Sequence, residues 1–204
     1  MLYRALIKSS SYTTCILPAI NILGFYAQNV YNIGLSIPCT LCGILLLTWT
    51  EYIMHRFILH YSHTGSTYHY LHGNHHAYPH GKSIHIPILF SSIINCAYFY
   101  IALTILSFKS SVNLMMAYQA SYILFEHVHM EVHHPYFFLN RNEPFRAFHM
   151  YHHLTNKHLA YSFSMPLWDL VFGTFPHDAM TVNWFAYVPI PIISFQFGTK
   201  VITQ

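Results

Sequence analysis

Charge is what this chain has least of. Only 7% of its 204 residues are Asp, Glu, Lys or Arg, against about 25% in an ordinary soluble domain, while 54% are hydrophobic and 18% aromatic. A single core of this length cannot absorb so much apolar surface, so the balance argues for contact with lipid. The basic residues are scattered and form no run, which excludes a nucleic-acid footprint. Cysteines are too few and wrongly placed for a disulfide framework. Cys15, Cys39, Cys42 and Cys96 all lie in apolar runs, where thiols behave as small hydrophobes. Cys39-x-x-Cys42 has the spacing of a redox or metal pair, but it lacks a partner pair and a strand–helix context. No A-x-A-like site follows the first apolar run, so a cleaved leader is not expected. No retrieval or lipidation signal names a compartment.

The uncharged stretches define the expected architecture. Residues 9–50 contain no Asp, Glu, Lys or Arg, enough for two spans of about 20 residues. The break is expected where Asn, Gly and Pro cluster in NVYNIGLSIP. Charge vanishes again over 83–108 and 110–125, interrupted by Lys109, and a turn is expected at FKSS. The expected fold is therefore an all-α integral membrane protein of one domain, 1–204. Four transmembrane helices form two hairpins (12–30 with 36–51, 87–108 with 111–125). The last helix is expected to continue past the membrane and carry His129 and His133. A histidine-rich cap is built from 52–82 and 126–178. The stretch 179–204 is read as an interfacial tail, because Pro189 and Pro191 would break a fifth helix. Two hairpins place Arg4, Lys8, Arg56, Lys82, Arg141, Arg146 and Lys157 on the histidine side and Lys109 opposite. The positive-inside rule then makes the cap and both termini cytoplasmic.

Histidine is what the chain has in excess, at 18 residues. His55 and His60 form H-x4-H, and His72, His75 and His76 form H-x2-HH. Farther on, His129 and His133 form H-x3-H, and His149, His152 and His153 repeat H-x2-HH. Histidines three or four apart share a helix face and can reach one metal. Adjacent histidines diverge by about 100°, so one can serve a first ion and its neighbour a second. Ten histidines in these spacings suit a two-metal centre with four or five nitrogen ligands per ion. His63, His69, His80, His85, His127, His134, His158 and His177 have no motif, and hydrogen bonding or surface exposure is expected for them. Glu51, Glu126, Glu131 and Asp169 are candidate acceptors of imidazole N–H groups, or simply helix-terminal charges at the water boundary.

Imidazole suits Zn, Cu, Fe and Ni alike, and a structural zinc site closes with four ligands. Two ions beside apolar walls suggest oxygen activation on a lipid chain, since an unactivated C–H bond offers no polar handle and the protein can only supply position. A membrane metal transporter or sensor is the non-enzyme rival. It would need ionisable residues inside its spans, and these spans are nearly free of them.

EYIMHRFILH, HYLHGNHHAYP, EHVHMEVHHP, FHMYHHLTN and PLWDLVFGT, in that order, resemble the fatty acid hydroxylase superfamily of histidine-box membrane di-metal oxidases. The first motif resembles most its fatty acid 2-hydroxylase branch, which hydroxylates the α-carbon of sphingolipid acyl chains. The resemblance covers residues 51–174. It implies four spans, a cytosolic cap and a dinuclear centre with ligands at His55, His60, His72, His75, His76, His129, His133, His149, His152 and His153. It also implies iron in the working enzyme, with zinc able to occupy the sites in isolated protein, and O2 as co-substrate. Electrons would come from a separate donor, either cytochrome b5-like or a ferredoxin with an NAD(P)H reductase. The expected membrane is the endoplasmic reticulum in a eukaryote or the inner membrane in a bacterium. A desaturase or a sterol or carotenoid oxidase on the same centre is the enzymatic rival. The chain departs from the family in three respects. No cytochrome b5 domain with H-P-G-G is expected here; Pro79-His80-Gly81 stands where P-x-D is usual; and the tail beyond Phe175 is not covered by the resemblance.

Overall fold

The computed structural model describes residue 24 and residues 34–61, 66–79, 88–133 and 144–176. The regular structure among these residues is helical, with no strand. Helix α1 spans Ile37–Ile53 and runs directly into a π-helical segment, Met54–His60. Helix α2 is Thr67–Ala77, α3 is Ile88–Ile105, α4 is Phe108–His133, α5 is Pro144–Leu154 and α6 is Leu167–Val171. Apart from Gly24, which is helical, the expected first span (12–30) lies outside the described residues, as do the tail (179–204), His63, His80, His85, His134 and His177.

Serine starts three of these helices. Ser36 Oγ accepts from Cys39 N, and Pro38 stands in the first turn of α1, where its missing N–H costs nothing. Ser66 Oγ accepts from His69 N at 3.1 Å at the head of α2. Ser107 Oγ accepts from Ser110 N at 3.2 Å at the head of α4. That last cap corrects the expected turn at FKSS. The chain reverses at Leu106 and Ser107, and Phe108-Lys109-Ser110-Ser111 is already the first turn of α4. Lys109 still sits at the end of α4 remote from its histidines.

The expected span 36–51 is observed as α1, and its helical path runs on to His60, giving one helix, 37–60, apolar and long enough to cross a membrane. Helix α3 contributes a shorter apolar stretch, Phe90–Ile105. The 26 residues of α4 reach about 39 Å at 1.5 Å per residue, and its last turns carry His129 and His133. Ile37, Leu41 and Leu45 form an exposed apolar stripe down α1, the kind of surface that lipid covers. Cys39, Cys42 and Cys96 are free thiols.

Helix α1 packs on α4 around Leu47, Met115, Tyr118 and Tyr122, and α3 packs on the same helix through Tyr98 and Phe99. Asn113 fastens the start of α1 to α4, accepting from Ser36 N at 3.2 Å and donating to the Gly34 carbonyl at 3.0 Å. The two helices approach so closely that a Cβ at Gly43 would collide with the Leu114 carbonyl and lie 2.9 Å from the Ala117 Cβ. Small residues allow this backbone-to-backbone approach between apolar helices. Gly43→Val should therefore push α1 off α4 and destabilise the fold by about 1–3 kcal/mol. Thermal unfolding in detergent would register it, while Gly73→Ala, at a position where an added Cβ meets nothing, should not lower the midpoint.

Candidate metal centre

The first histidine pair has a spacing that an α-helix does not serve. Five residues at 3.6 per turn leave two side chains about 140° apart. Here the backbone widens into a π-helix over Met54–His60, whose hydrogen bonds join i to i+5, and the His55 and His60 rings come together at 5.0 Å. The other motifs use ordinary helical geometry: His72, His75 and His76 lie on α2, His129 and His133 on α4, and His149, His152 and His153 on α5.

These elements bring the imidazoles into two groups. The ligand atoms of His55, His60, His72, His76 and His152 lie within 4.8 Å of one another, and so do those of His75, His133, His149 and His153. His129 Nε2 joins the second group at 3.0 Å from His149 Nε2 and 3.1 Å from His133 Nε2. Each H-x2-HH motif is split in the same way. Positions i and i+4 face one group and position i+3 faces the other. Helix α2 gives His72 and His76 to the first group and His75 to the second; α5 gives His149 and His153 to the second and His152 to the first. His76 and His153 stack at 4.2 Å where the groups meet.

Protons alone do not satisfy this arrangement. His72 Nε2 faces three other Nε2 atoms, those of His55 at 3.1 Å, His60 at 2.9 Å and His76 at 3.0 Å. His149 Nε2 likewise faces those of His129, His133 and His153 at 2.9–3.0 Å. One nitrogen of a neutral imidazole either donates once or accepts once. His75 is buried, and neither of its ring nitrogens has a hydrogen-bond partner, a loss of about 1–3 kcal/mol for a polar atom left unmet. Two nitrogens each about 2.1 Å from one ion sit about 3.0 Å apart when the bonds meet at a right angle, which matches the observed separations. The histidine clusters fit a metal centre.

Burial also keeps the donors neutral. Desolvation first, then the neighbouring histidines, push His75 and His76 down to about 3. The same causes hold His72, His149, His152 and His153 well below the ordinary imidazole value. A metal ligand must be the neutral imidazole.

The tautomer of two donors is fixed by backbone. His55 Nδ1 donates to the Tyr161 carbonyl at 2.5 Å and His152 Nδ1 donates to the Leu159 carbonyl at 2.7 Å. A carbonyl can only accept, so each Nε2 carries its lone pair toward the first group. The loop supplying these carbonyls is itself held by buried carboxylates. Asp169, wholly buried, accepts from Tyr161 N at 2.8 Å, Ser162 N at 2.7 Å and Thr174 Oγ1 at 2.7 Å. Glu51 accepts from Phe163 N, Ser164 N and Ser164 Oγ. This corrects the expectation that Glu51 and Asp169 take imidazole N–H groups: they bind the loop, and the loop binds the imidazoles. Glu126 is turned to Tyr122, whose hydroxyl donates to it at 2.5 Å, and Glu131 is buried near the foot of α4. Of the motif-free histidines, His69, His127 and His158 belong to neither group.

Sequence reasoning passed over Tyr161 and Phe163. The Tyr161 ring lies against His55, His60 and His152 at 5.2–5.7 Å, and the Phe163 ring lies against His129 and His149 at 5.3 and 5.2 Å. Neither has a motif of its own. The available signal was Asp169 in PLWDLVFGT, an acid in an otherwise apolar string, which has to be paired with something.

A helical scaffold that converges ten imidazoles into two groups defines a class of protein fitted to hold metal. Comparison with known proteins places it further. The profile of the fatty acid hydroxylase family matches residues 40–174, so this chain belongs to that family. The dihydroceramide fatty acyl 2-hydroxylase FAH1 of Arabidopsis thaliana is 29% identical over 148 residues, covering 69% of this chain and 61% of that protein. The ceramide very long chain fatty acid hydroxylase SCS7 of Saccharomyces cerevisiae is 29% identical over 174 residues, covering 72% of this chain and 42% of that one. The chain thus spans less than two thirds of the length of these relatives. The solved structure of full-length scs7p, in which only the hydroxylase domain is visible, superposes with a TM-score of 0.65 at 21% identity, over 79% of this chain and 66% of that chain. The fold is shared.

The depressed histidines predict a fold that loses stability in acid. Above about pH 6.5 they are neutral whether folded or unfolded. As pH falls from about 6.5 toward about 3, the unfolded chain takes up protons that folded His75 and His76 refuse, and stability is lost. Thermal melts of the metal-free protein in detergent should show a midpoint that is flat above neutrality and falls steadily on acidification.

Proposed function

We propose that this chain is a membrane-embedded di-metal monooxygenase that hydroxylates a fatty acyl chain at carbon 2, free or in a ceramide. The observation that carries this reading is the convergence of two all-histidine groups inside the segment that matches the family. His55, His60, His72, His76 and His152 would hold one ion, and His75, His129, His133, His149 and His153 the other. Iron is the proposed working metal, and when bound it would supply the oxygen activation that an unactivated C–H bond requires. One oxygen atom of O2 enters the C–H bond and the other leaves as water, with two electrons and two protons drawn from a separate donor, cytochrome b5-like or ferredoxin-based.

The chain's own residues bind, orient and exclude water. The ring of Tyr161 lies against the first group and that of Phe163 against the second, and the carbonyls of Leu159 and Tyr161 keep the protons of His152 and His55 on Nδ1. The long, lipid-facing helices are read as spans of a two-hairpin, four-span protein. Its histidine cap and termini face the cytoplasm, at the endoplasmic reticulum or the bacterial inner membrane, supported by the position of Lys109 at the far end of α4.

Mass spectrometry of lipids from cells expressing the wild type or His152→Ala, with a donor system co-expressed, tests the reading. The expected result is acyl chains gaining one oxygen atom in the wild type alone, with fragmentation placing it at carbon 2. His152→Ala should lose turnover by several orders of magnitude while the helical signal of the detergent-purified protein persists. Loss of two hydrogens would instead mark a desaturase, and oxygen on sterols or carotenoids would move the substrate. Metal flux through vesicles without lipid oxidation would mark a transporter.

A further inference from the structure

The two histidine groups differ in what stands behind them. Two donors of the first group, His55 and His152, give their Nδ1 protons to the carbonyls of Tyr161 and Leu159. Three donors of the second, His75, His149 and His153, have a buried Nδ1 with no hydrogen-bond partner. Both carbonyls of the first group belong to one short stretch, and that stretch does not stand by its own geometry. Ala160, between them, is held at φ 56°, in the left-handed region that costs a residue with a Cβ about 1–2 kcal/mol. Its wholly buried side chain packs with Phe148 and Phe175, and its N–H donates to the Thr174 carbonyl at 2.9 Å. The three hydrogen bonds that Asp169 accepts, from Tyr161 N, Ser162 N and Thr174 Oγ1, keep the stretch in this form.

We infer that Asp169 is the positioning residue of the first metal group, acting through the Leu159 and Tyr161 carbonyls, and that it makes the two metal sites unequal in affinity, the first tight and the second exchangeable. The inference rests on the di-metal reading above. Its physical basis is that a ligand whose second nitrogen is fixed reaches the ion pre-oriented and more basic, and that removal of such an outer partner weakens metal binding about 10–100-fold. The second group lacks that support at three of its five imidazoles. Glu51 works in parallel from the other side, on Phe163 and Ser164.

The test is a chelator titration of the full chain, loaded with zinc in detergent, with bound zinc counted by mass spectrometry. The wild type should release its zinc in two phases of one ion each, at midpoints about tenfold or more apart. His55→Ala should abolish the tight phase and His153→Ala the weak one. Asp169→Asn puts an amide group where a backbone N–H now donates, and should move the tight phase alone by about 10–100-fold. If that variant does not fold, Thr174→Val, which removes one of the three donors, should shift the same phase to a smaller degree. Leu47→Ala, a buried change in the helix core remote from the loop, should lower thermal stability and leave the separation of the phases intact. Release of both ions in one phase, or an equal shift of both phases by Asp169→Asn, overturns the inference while leaving the metal centre standing. Failure to bind zinc at all overturns the metal-centre reading itself.

Discussion

Everything in this molecule is arranged around a requirement on lone pairs. Ten imidazoles have to be brought within a few ångströms of one another, neutral, with their free nitrogens inward. That is unfavourable in three ways: the rings lose water, they crowd like dipoles, and no set of protons can satisfy nitrogens that meet three at a time. Nothing in the groups themselves holds them together in the absence of a cation. The surrounding helices must therefore be rigid before any ligand arrives, and the observed packing is that of a frame built for the purpose. Gly43 lets α1 and α4 touch backbone to backbone, Asn113 ties their ends, and Arg146 of α5 donates to the Val132 carbonyl at the foot of α4.

Helical periodicity then does the sorting. In an α-helix, i and i+4 are nearly aligned while i+3 lies on the other flank, so a single H-x2-HH motif feeds two sites at once. Two such helices, α2 and α5, placed face to face give crossed contributions, two and one against one and two, and each site depends on both helices. This interlock means that neither group can form without the other helix being in place. The H-x4-H pair is the exception that shows the rule, because its spacing fails in an α-helix and the backbone changes to accommodate it. A π segment has poorer hydrogen-bond geometry than the α-helix it interrupts, and such segments recur at functional sites. Here the reason is concrete: without it His60 would point away from His55.

The legible part of the sequence was the part governed by short-range spacing. The apolar runs predicted α1, α3 and α4, and the long α4 carries His129 and His133 as its uncharged stretch followed by a polar end implied. The histidine spacings predicted that adjacent members of a motif would diverge. What could not be read was anything depending on contacts between distant segments. Glu51 and Asp169 were recognisable as acids in apolar surroundings, hence in need of partners, but their partners are mainly backbone N–H groups of residues 161–164, which carry no mark in a sequence. Ser107 was read as the tail of a span because a serine between apolar residues looks the same as a cap until the chain is seen to turn. The π segment was hidden for a related reason, since no residue type requires it.

The displacement of the two carboxylates to the far side of the loop has a consequence for the chemistry. A carboxylate hydrogen-bonded directly to a ligating imidazole pushes charge toward the metal, and a carbonyl does so less. With Asp169 and Glu51 spent on backbone donors, the histidine groups form a formally neutral shell, and an ion held there would keep its full charge. Such a shell would favour anionic or strongly polarisable molecules at any remaining position, beside the rings of Tyr161 and Phe163. The same two acids meanwhile set the shape of the loop, so the positions of the first group's imidazoles and of the Tyr161 and Phe163 rings are controlled by one set of hydrogen bonds. The orientation of the ligands and the placement of the aromatic rings beside them are thereby a single structural variable, governed from Asp169 and Glu51.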